Sequence, residues 1–322
     1  MQLWFRDQTP FRSMLLAPML LVVTGVACSL PFAEDDPTST PVPPTVTPTS
    51  TPEPTPTAVP PTPTATVARE RCSSVGGRLQ VLTDDVDAAM EGYNGAWGFA
   101  LIDVECDALA ESPTDYAQYP ASAGKIVTFI AVLREVERKN FDYPEIEDHL
   151  ELAVLISSDI AANHLTTLIT PANIAEVTGL AGLSARSTFV HDWRLAWLAP
   201  ADLARVWAAL LRGELLSPEH TDLLLGLTQQ ADFPIGAGYD TFPEELGVDG
   251  YDYGQKAGYW VSTEEPDNLV GAGFIRLSND PESAFAVVLM VETEMDDVFE
   301  PQRRKVFPLL LEFIRGEVEA HR

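Results

Sequence analysis

The chain has 322 residues, and 48 acidic residues against 20 basic ones give it a formal net charge of −28 at pH 7. So negative a surface repels phosphate groups, which argues against nucleic acid as a partner. Hydrophobic residues make up 46% of the sequence, enough to bury a core, so disorder along the whole chain is excluded. The three cysteines and five histidines lack zinc-site spacing, so no metal site is predicted, and nothing in the sequence indicates a cofactor.

Residues 1–27 are typical of an export signal. Arg6 and Arg12 supply positive charge before a short apolar run at 14–23, which is too short to span a bilayer comfortably. Small residues then lead into Cys28, a pattern that resembles a bacterial lipoprotein signal in which the cysteine becomes the lipid-modified N-terminus. A conventional cleaved signal with an incidental cysteine is the alternative. Both interpretations predict export, and the first predicts a membrane anchor on the extracytoplasmic face.

A Thr/Pro tract separates this signal from the rest of the chain, with 11 prolines between Pro37 and Pro63. Proline removes backbone donors and fixes φ, so residues 28–67 are predicted to form an extended spacer reaching on the order of 100 Å. An O-glycosylated stalk or a proline-rich ligand for a partner is the alternative. The folded domain is then predicted to span residues 68–322.

Hydrophobic periodicity predicts the elements of this domain in chain order. A helix is expected over residues 83–93, a strand over 96–104, and a helical block between 122 and 227. An amphipathic helix over 302–319 closes the chain. Three further strands are expected at 255–261, 268–277 and 284–291. Strands at both ends with helices between them predict an α+β fold: an antiparallel sheet flanked by N- and C-terminal helices, plus an all-helical lobe.

Three short motifs occur in this domain. Ser122-x-x-Lys125 opens a predicted helix, so Lys125 Nζ can lie within reach of Ser122 Oγ and activate it as a nucleophile. Ser157-Ser158-Asp159 and Lys256-Ala257-Gly258 follow. In this order the set resembles the serine β-lactamase and penicillin-binding-protein superfamily, nearest its class A branch.

The resemblance implies a role for each matching residue. Ser122 would be the acylated nucleophile, with Lys125 taking its proton. Ser157 would pass a proton to the leaving nitrogen, and Lys256 would place positive charge near Ser157 and near a substrate carboxylate. The backbone N–H groups of Ser122 and Tyr259 would form the oxyanion hole.

Four departures from the family pattern bear on function. Asp159 stands where the family has Asn, so an acceptor replaces an amide that can donate to substrate. Ala257 replaces the Thr of Lys-Thr-Gly, while Gly258 is kept. Asp192 stands where class A enzymes have the Glu that activates the deacylating water, and the loop from there to Pro200 is short.

Two functions from different classes remain open. The first is a surface-tethered serine hydrolase acting on β-lactams or cell-wall peptides, as a monomer held to the membrane by its lipid anchor. The second is a catalytically silent relative that binds peptidoglycan or a protein partner. The retention of Ser122 with Lys125 favours the first. Cys72 and Cys106 can form a disulfide after export, and two free buried thiols are the alternative.

Overall fold

The computed structural model describes residues 63–231, 251–260, 267–278, 280–293 and 305–320. Within them lie six strands: β1 Gly95–Asp103, β2 Ala108–Ser112, β3 Tyr251–Gln255, β4 Gly258–Trp260, β5 Asp267–Leu277 and β6 Asp280–Thr293. The helices are α1 Pro63–Met90, α2 Lys125–Glu137, α3 Glu147–Leu155, α4 Asp159–Thr167, α5 Pro171–Leu180, α6 Pro200–Leu211, α7 Pro218–Gln229 and α8 Phe307–Ala320. The described helices include none that is long and apolar enough to cross a membrane.

The strands pair antiparallel in the order β2-β1-β6-β5-β3, and β4 pairs with β5 beyond the end of β3. Alternate residues of each strand face opposite sides of a sheet, so a sheet buried on both faces needs unbroken apolar strands. In β6, Val287 and Leu289 join the core beneath α1 and α8, whereas Val288 and Met290 join the core beneath the helical lobe. The predicted α+β fold, with one antiparallel sheet, terminal helices and an all-helical lobe, is confirmed.

Helix α1 begins 20 residues before its predicted start at residue 83, and that prediction was wrong. Gly76 and Gly77 each lower helix propensity by about 1 kcal/mol relative to alanine. A stripe spaced by three and four residues is nevertheless buried against the sheet, and its packing outweighs that cost. The stripe consists of Val75, Leu79, Leu82, Val86 and Met90.

Two strand predictions also need correction. The strand expected at 255–261 is two strands, β3 and β4, separated by Lys256 and Ala257, while Val261 lies outside the described residues. Lys256 still donates its backbone N–H to Ala272 O at 2.9 Å, so the chain stays against β5 across the break. Strand β2 was not predicted, because its sequence Ala-Leu-Ala-Glu-Ser has no β-branched or aromatic residue.

Candidate active site

Ser122 lies in a one-turn 3-10 helix, Ala121–Gly124, that leads directly into α2. The residue before it, Ala121, has a φ of 47°, a left-handed conformation that is costly for a residue with a Cβ. Strand β4 packs against this turn through Gly258. A Cβ added there would lie 2.3 Å from Pro120 O and 2.8 Å from Ala123 N. Glycine is therefore needed for the motif strand to approach the Ser122 turn.

Lys125 is fully buried at the start of α2. Its Nζ donates to the backbone O of Ser157 at 2.9 Å and to Asp159 Oδ1 at 2.5 Å, and it lies 4.3 Å from the centroid of the Trp193 ring. The predicted contact with Ser122 Oγ is not among the hydrogen bonds that link the described residues. The ammonium group of Lys125 therefore pairs with Asp159, whereas the sequence predicted that it would contact Ser122.

Ser157 joins the second lysine to the site. Lys256 Nζ donates to Ser157 Oγ at 2.8 Å and to Ala257 O at 3.2 Å. Ser157 has a φ of 57°, so the turn between α3 and α4 is also strained. This turn presents the Ser157 carbonyl oxygen to Lys125 and its hydroxyl to Lys256. One residue therefore touches both buried lysines.

Burial dominates the electrostatics of both lysines. It lowers the pKa of Lys125, and the hydrogen bond and charge of Asp159 oppose that shift without cancelling it. Burial, and then the charge of Lys125, lowers the pKa of Lys256 well below its ordinary value, while Asp159 acts in the opposite direction. Both ammonium groups are therefore easier to deprotonate than a surface lysine, as acid–base chemistry near neutral pH requires.

A cavity of about 590 Å³ opens beside Ser122. Its lining includes five aromatic residues and several polar side chains. The lining residues are Tyr119, Ala121, Ser122, Asp159, Trp193, Arg194, Leu195, Ala196, Trp197, Tyr259, Trp260, Asn268 and Glu292. Such a cavity, apolar with a few polar groups, is the usual form of a small-molecule site.

Asp192, the candidate base, caps a short helix and binds a neighbouring arginine. Its Oδ1 accepts the backbone N–H of Arg194 at 2.9 Å and so caps the short 3-10 helix Trp193–Leu195. The guanidinium of Arg194 binds both carboxylate oxygens. These bonds lower the pKa of Asp192, although burial acts against them. Asp192 does not belong to the lining of the cavity, whereas Arg194 does.

A buried carboxylate fixes the segment 184–199, whose residues 193–197 form one wall of the cavity. Asp202, fully buried at the start of α6, accepts the Ser184 N–H at 3.0 Å and the hydroxyls of Ser184 and Ser187 at 2.7 and 2.6 Å. Ser187 Oγ in turn accepts the Ala199 N–H at 2.9 Å. Burial favours the protonated acid, but these donors together with Arg205 lower the pKa of Asp202. Asp202 therefore holds residues 184 and 187 against the start of α6, and Ser187 holds Ala199 in turn.

The structure brings most of the predicted site residues together. Asp159, Tyr259 and Ser122 all line the cavity. Ser157 contacts both Lys125 and Lys256. Ala257 and Gly258 lie between Lys256 and Tyr259 in the chain. Cys72 and Cys106 are joined by a disulfide, with their Cα atoms 5.1 Å apart. Cys28 lies outside the described residues.

Apart from Ser122, Asp159 and Tyr259, ten residues of the cavity lining were not predicted as site residues, among them Arg194, Trp260, Asn268 and Glu292. Trp260 is next to the predicted Tyr259, which is a weak signal. Asn268 and Glu292 reach the cavity only through strand register, which the sequence did not indicate.

The comparisons with known proteins agree with this geometry. A family model described as "Beta-lactamase enzyme family" matches residues 143–305, half of the chain, a segment that begins after Ser122 and contains Ser157 and Lys256. The protein belongs to this beta-lactamase enzyme family. No curated protein sequence gives a significant match.

Several solved structures share the fold at low identity. The TLA-1 extended-spectrum beta-lactamase superimposes with a TM-score of 0.61 and 16% identity, covering 73% of this chain and 98% of that one. A beta-lactamase from Sphaerobacter thermophilus superimposes with a TM-score of 0.59 and 20% identity, covering 74% of this chain and 97% of that one. A mutant of PBP-A, in an acyl-enzyme complex with penicillin G, superimposes with a TM-score of 0.59 and 18% identity, covering 74% of this chain and 97% of that one. At these identities the likeness shows the fold alone.

Proposed function

We propose that the protein is an exported, surface-tethered serine hydrolase that forms an acyl-enzyme on Ser122 with β-lactams or cell-wall peptides. The observation that carries this proposal is the position of Ser157 between two buried lysines, at 2.9 Å from Lys125 and 2.8 Å from Lys256. Export and tethering rest on residues 1–67, through the signal-like run, Cys28 and the Thr/Pro tract. The acyl-enzyme that a mutant of PBP-A forms with penicillin G gives the chemistry a precedent on this fold.

Acylation would begin at Ser122. Its Oγ attacks the carbonyl carbon of the substrate while its proton passes to neutral Lys125 Nζ, whose pKa burial lowers. The negative charge that develops on the carbonyl oxygen is stabilised by the backbone N–H groups of Ser122 and Tyr259. Both groups belong to the two segments that Gly258 allows to meet.

Collapse of this intermediate breaks the carbon–nitrogen bond. The leaving nitrogen takes the proton of Ser157 Oγ, which is replaced by a proton from Lys256, its hydrogen-bond donor. The lowered pKa of Lys256 favours this transfer. Charge is conserved, because Lys125 has gained one proton and Lys256 has lost one. The products of this half-reaction are the ester on Ser122 and an amine, which departs from a peptide substrate and stays attached to the ester in a ring-opened β-lactam.

Release of the ester requires an activated water, and here the site is weaker. Both carboxylate oxygens of Asp192 are bound by Arg194, and these bonds lower the pKa of Asp192, which makes it a weaker base. The acyl-enzyme is therefore expected to persist, so the protein binds penicillin more readily than it hydrolyses it.

One observation favours a second candidate, a catalytically silent module that binds peptidoglycan or a protein partner. The Asp159 carboxylate stabilises the protonated form of Lys125, which cannot accept the serine proton. A chromogenic cephalosporin and an acyl-D-alanyl-D-alanine peptide separate the two functions. A burst of cephalosporin ring opening by the wild type, of at least one equivalent per protein molecule, or cleavage of the peptide, and its loss in Ser122→Ala, supports the hydrolase. Sedimentation with insoluble peptidoglycan that is equal for both proteins, with no cleavage, supports the module.

A further inference from the structure

Three residues that line the cavity form a row across the sheet. Trp260 on β4 is directly opposite Asn268 on β5, and Asn268 is directly opposite Glu292 on β6. Directly opposed residues of antiparallel strands project to the same face of a sheet. All three line the cavity that contains Ser122. We call these three residues the Trp260–Glu292 row.

The row and Lys256 lie on opposite sides of the nucleophile. Along the chain, Gly258 packs on the Ser122 turn, Lys256 precedes it by two residues and Trp260 follows it by two. Two residues of extended chain span about 7 Å. A substrate lying along β4 therefore has the Lys256–Ser157 pair towards one end and the Trp260–Glu292 row towards the other.

The row has the chemistry of a cation site. Among the described residues, no ion pair includes the Glu292 carboxylate. Burial raises the pKa of Tyr116 most, and the negative charge of Glu292 is the second largest cause of that rise. The neighbouring Trp260 ring is 45% exposed and meets Tyr119 edge to face at 5.8 Å between centroids. Trp197, 50% exposed, lines the same cavity.

We propose that the Trp260–Glu292 row is a subsite for an ammonium or guanidinium group carried by the acyl part of the substrate. A carboxylate in a partly apolar cavity attracts a cation more strongly than one in open water, and indole faces add cation–π attraction. This inference deepens the proposed function, because it names the charge of the group that the acylated substrate carries. The preferred substrate then has its cation at the Glu292 end of β4, on the side of Ser122 away from Lys256.

The test uses ligands that cannot acylate a serine, so it does not depend on the chemistry of Ser122. Benzylamine, a cation at pH 7, is compared with benzyl alcohol, its neutral counterpart, by NMR titration of the full-length protein. Glu292→Gln removes the charge while keeping the shape of the side chain. Glu312→Gln is the matched control, because Glu312 is an exposed acid on α8, on the opposite face of the sheet.

We expect the wild type to bind benzylamine at least about threefold more tightly than benzyl alcohol, as a cation–π contact and a partly buried carboxylate together predict. Glu292→Gln should abolish this preference and Glu312→Gln should keep it. Equal binding of the two ligands, no binding of either, or a preference that survives in Glu292→Gln would overturn the inference. A preference for the cation in a protein that forms no acyl-enzyme would instead leave the subsite standing and remove the proposed hydrolase.

Discussion

Lys125 and Asp159 form an ion pair, with 2.5 Å between Nζ and Oδ1, and the same ammonium donates to the carbonyl oxygen of Ser157. Lys125 is fully buried, whereas the Asp159 side chain is 66% exposed. The pair therefore sets the protonation of the group that must accept the serine proton, from a position that solvent reaches. We therefore expect this contact to control the rate at which Ser122 is acylated.

Asp159→Asn should speed acylation. Asp159 raises the pKa of Lys125 against the effect of burial, so removing its charge lowers that pKa and increases the neutral fraction. A lysine base works when deprotonated, so the rate rises with pH through its pKa, and the midpoint should move to lower pH in the variant. Because Asp159 is largely exposed, the gain at pH 7 is expected to be about tenfold rather than larger.

The measurement is the rate of labelling by a fluorescent penicillin between pH 5 and 10. Asp222→Asn, which removes an exposed charge on α7, is the control and should leave the profile unchanged. An Asp159→Asn midpoint at or above that of the wild type would show that Lys125 is not the titrating base.

Gly258→Ala should abolish acylation. The new Cβ would stand 2.3 Å from Pro120 O and 2.8 Å from Ala123 N, and backbone atoms cannot rotate away as a side chain does. Displacing β4 by about 1 Å misplaces the Tyr259 N–H and should cost on the order of 100-fold in rate. Gly179→Ala, on α5 with no atom within 4 Å, is the matched control. If both variants label at the rate of the wild type, the close approach of β4 has no part in catalysis.

Asp202→Asn should destabilise the wall of the cavity. The variant loses an ionised acceptor of three hydrogen bonds, so the free energy of unfolding should fall by about 1–3 kcal/mol at pH 7. The folded-state pKa of Asp202 is lowered, so its contribution is present above the unfolded pKa near 4 and is lost as pH falls below it.

Urea unfolding of both proteins between pH 3 and 7 tests this, with Asp148→Asn, an exposed acid on α3, as the control. The difference between wild type and Asp202→Asn should be largest near neutral pH and shrink below about pH 4. A difference that stays constant over this range would mean that the loss comes from packing and not from the charge.

The sequence predicted the parts of the site that depend on local motifs. Ser122, Ser157 and Lys256 belong to short patterns, and the expected proximity of Lys256 to Ser157 is present at 2.8 Å. The partner of Lys125 was mispredicted, because helical spacing places Ser122 within reach but does not say which acceptor the ammonium chooses. A carboxylate in place of the family's amide, as in Asp159, decides that choice by charge.

The remaining features depend on relationships that one sequence does not carry. Strand register places Glu292 opposite Asn268, and a shift of one residue would turn both side chains to the other face. The early start of α1 depends on burial of Val75 and Leu79, which outweighs the low propensity of the glycines between them. The bond that Arg194 makes to Asp192 depends on loop geometry that motif spacing does not describe.

The central claim is that Ser122 becomes acylated, and intact-mass spectrometry of the purified protein with penicillin G tests it most directly. The account predicts an adduct with the mass of the whole antibiotic, since ring opening adds every atom of the lactam to the serine. The adduct should last for many minutes, because Asp192 is bound by Arg194, and it should be absent from Ser122→Ala. A wild-type protein that keeps its unmodified mass, and leaves the antibiotic intact, would contradict the account.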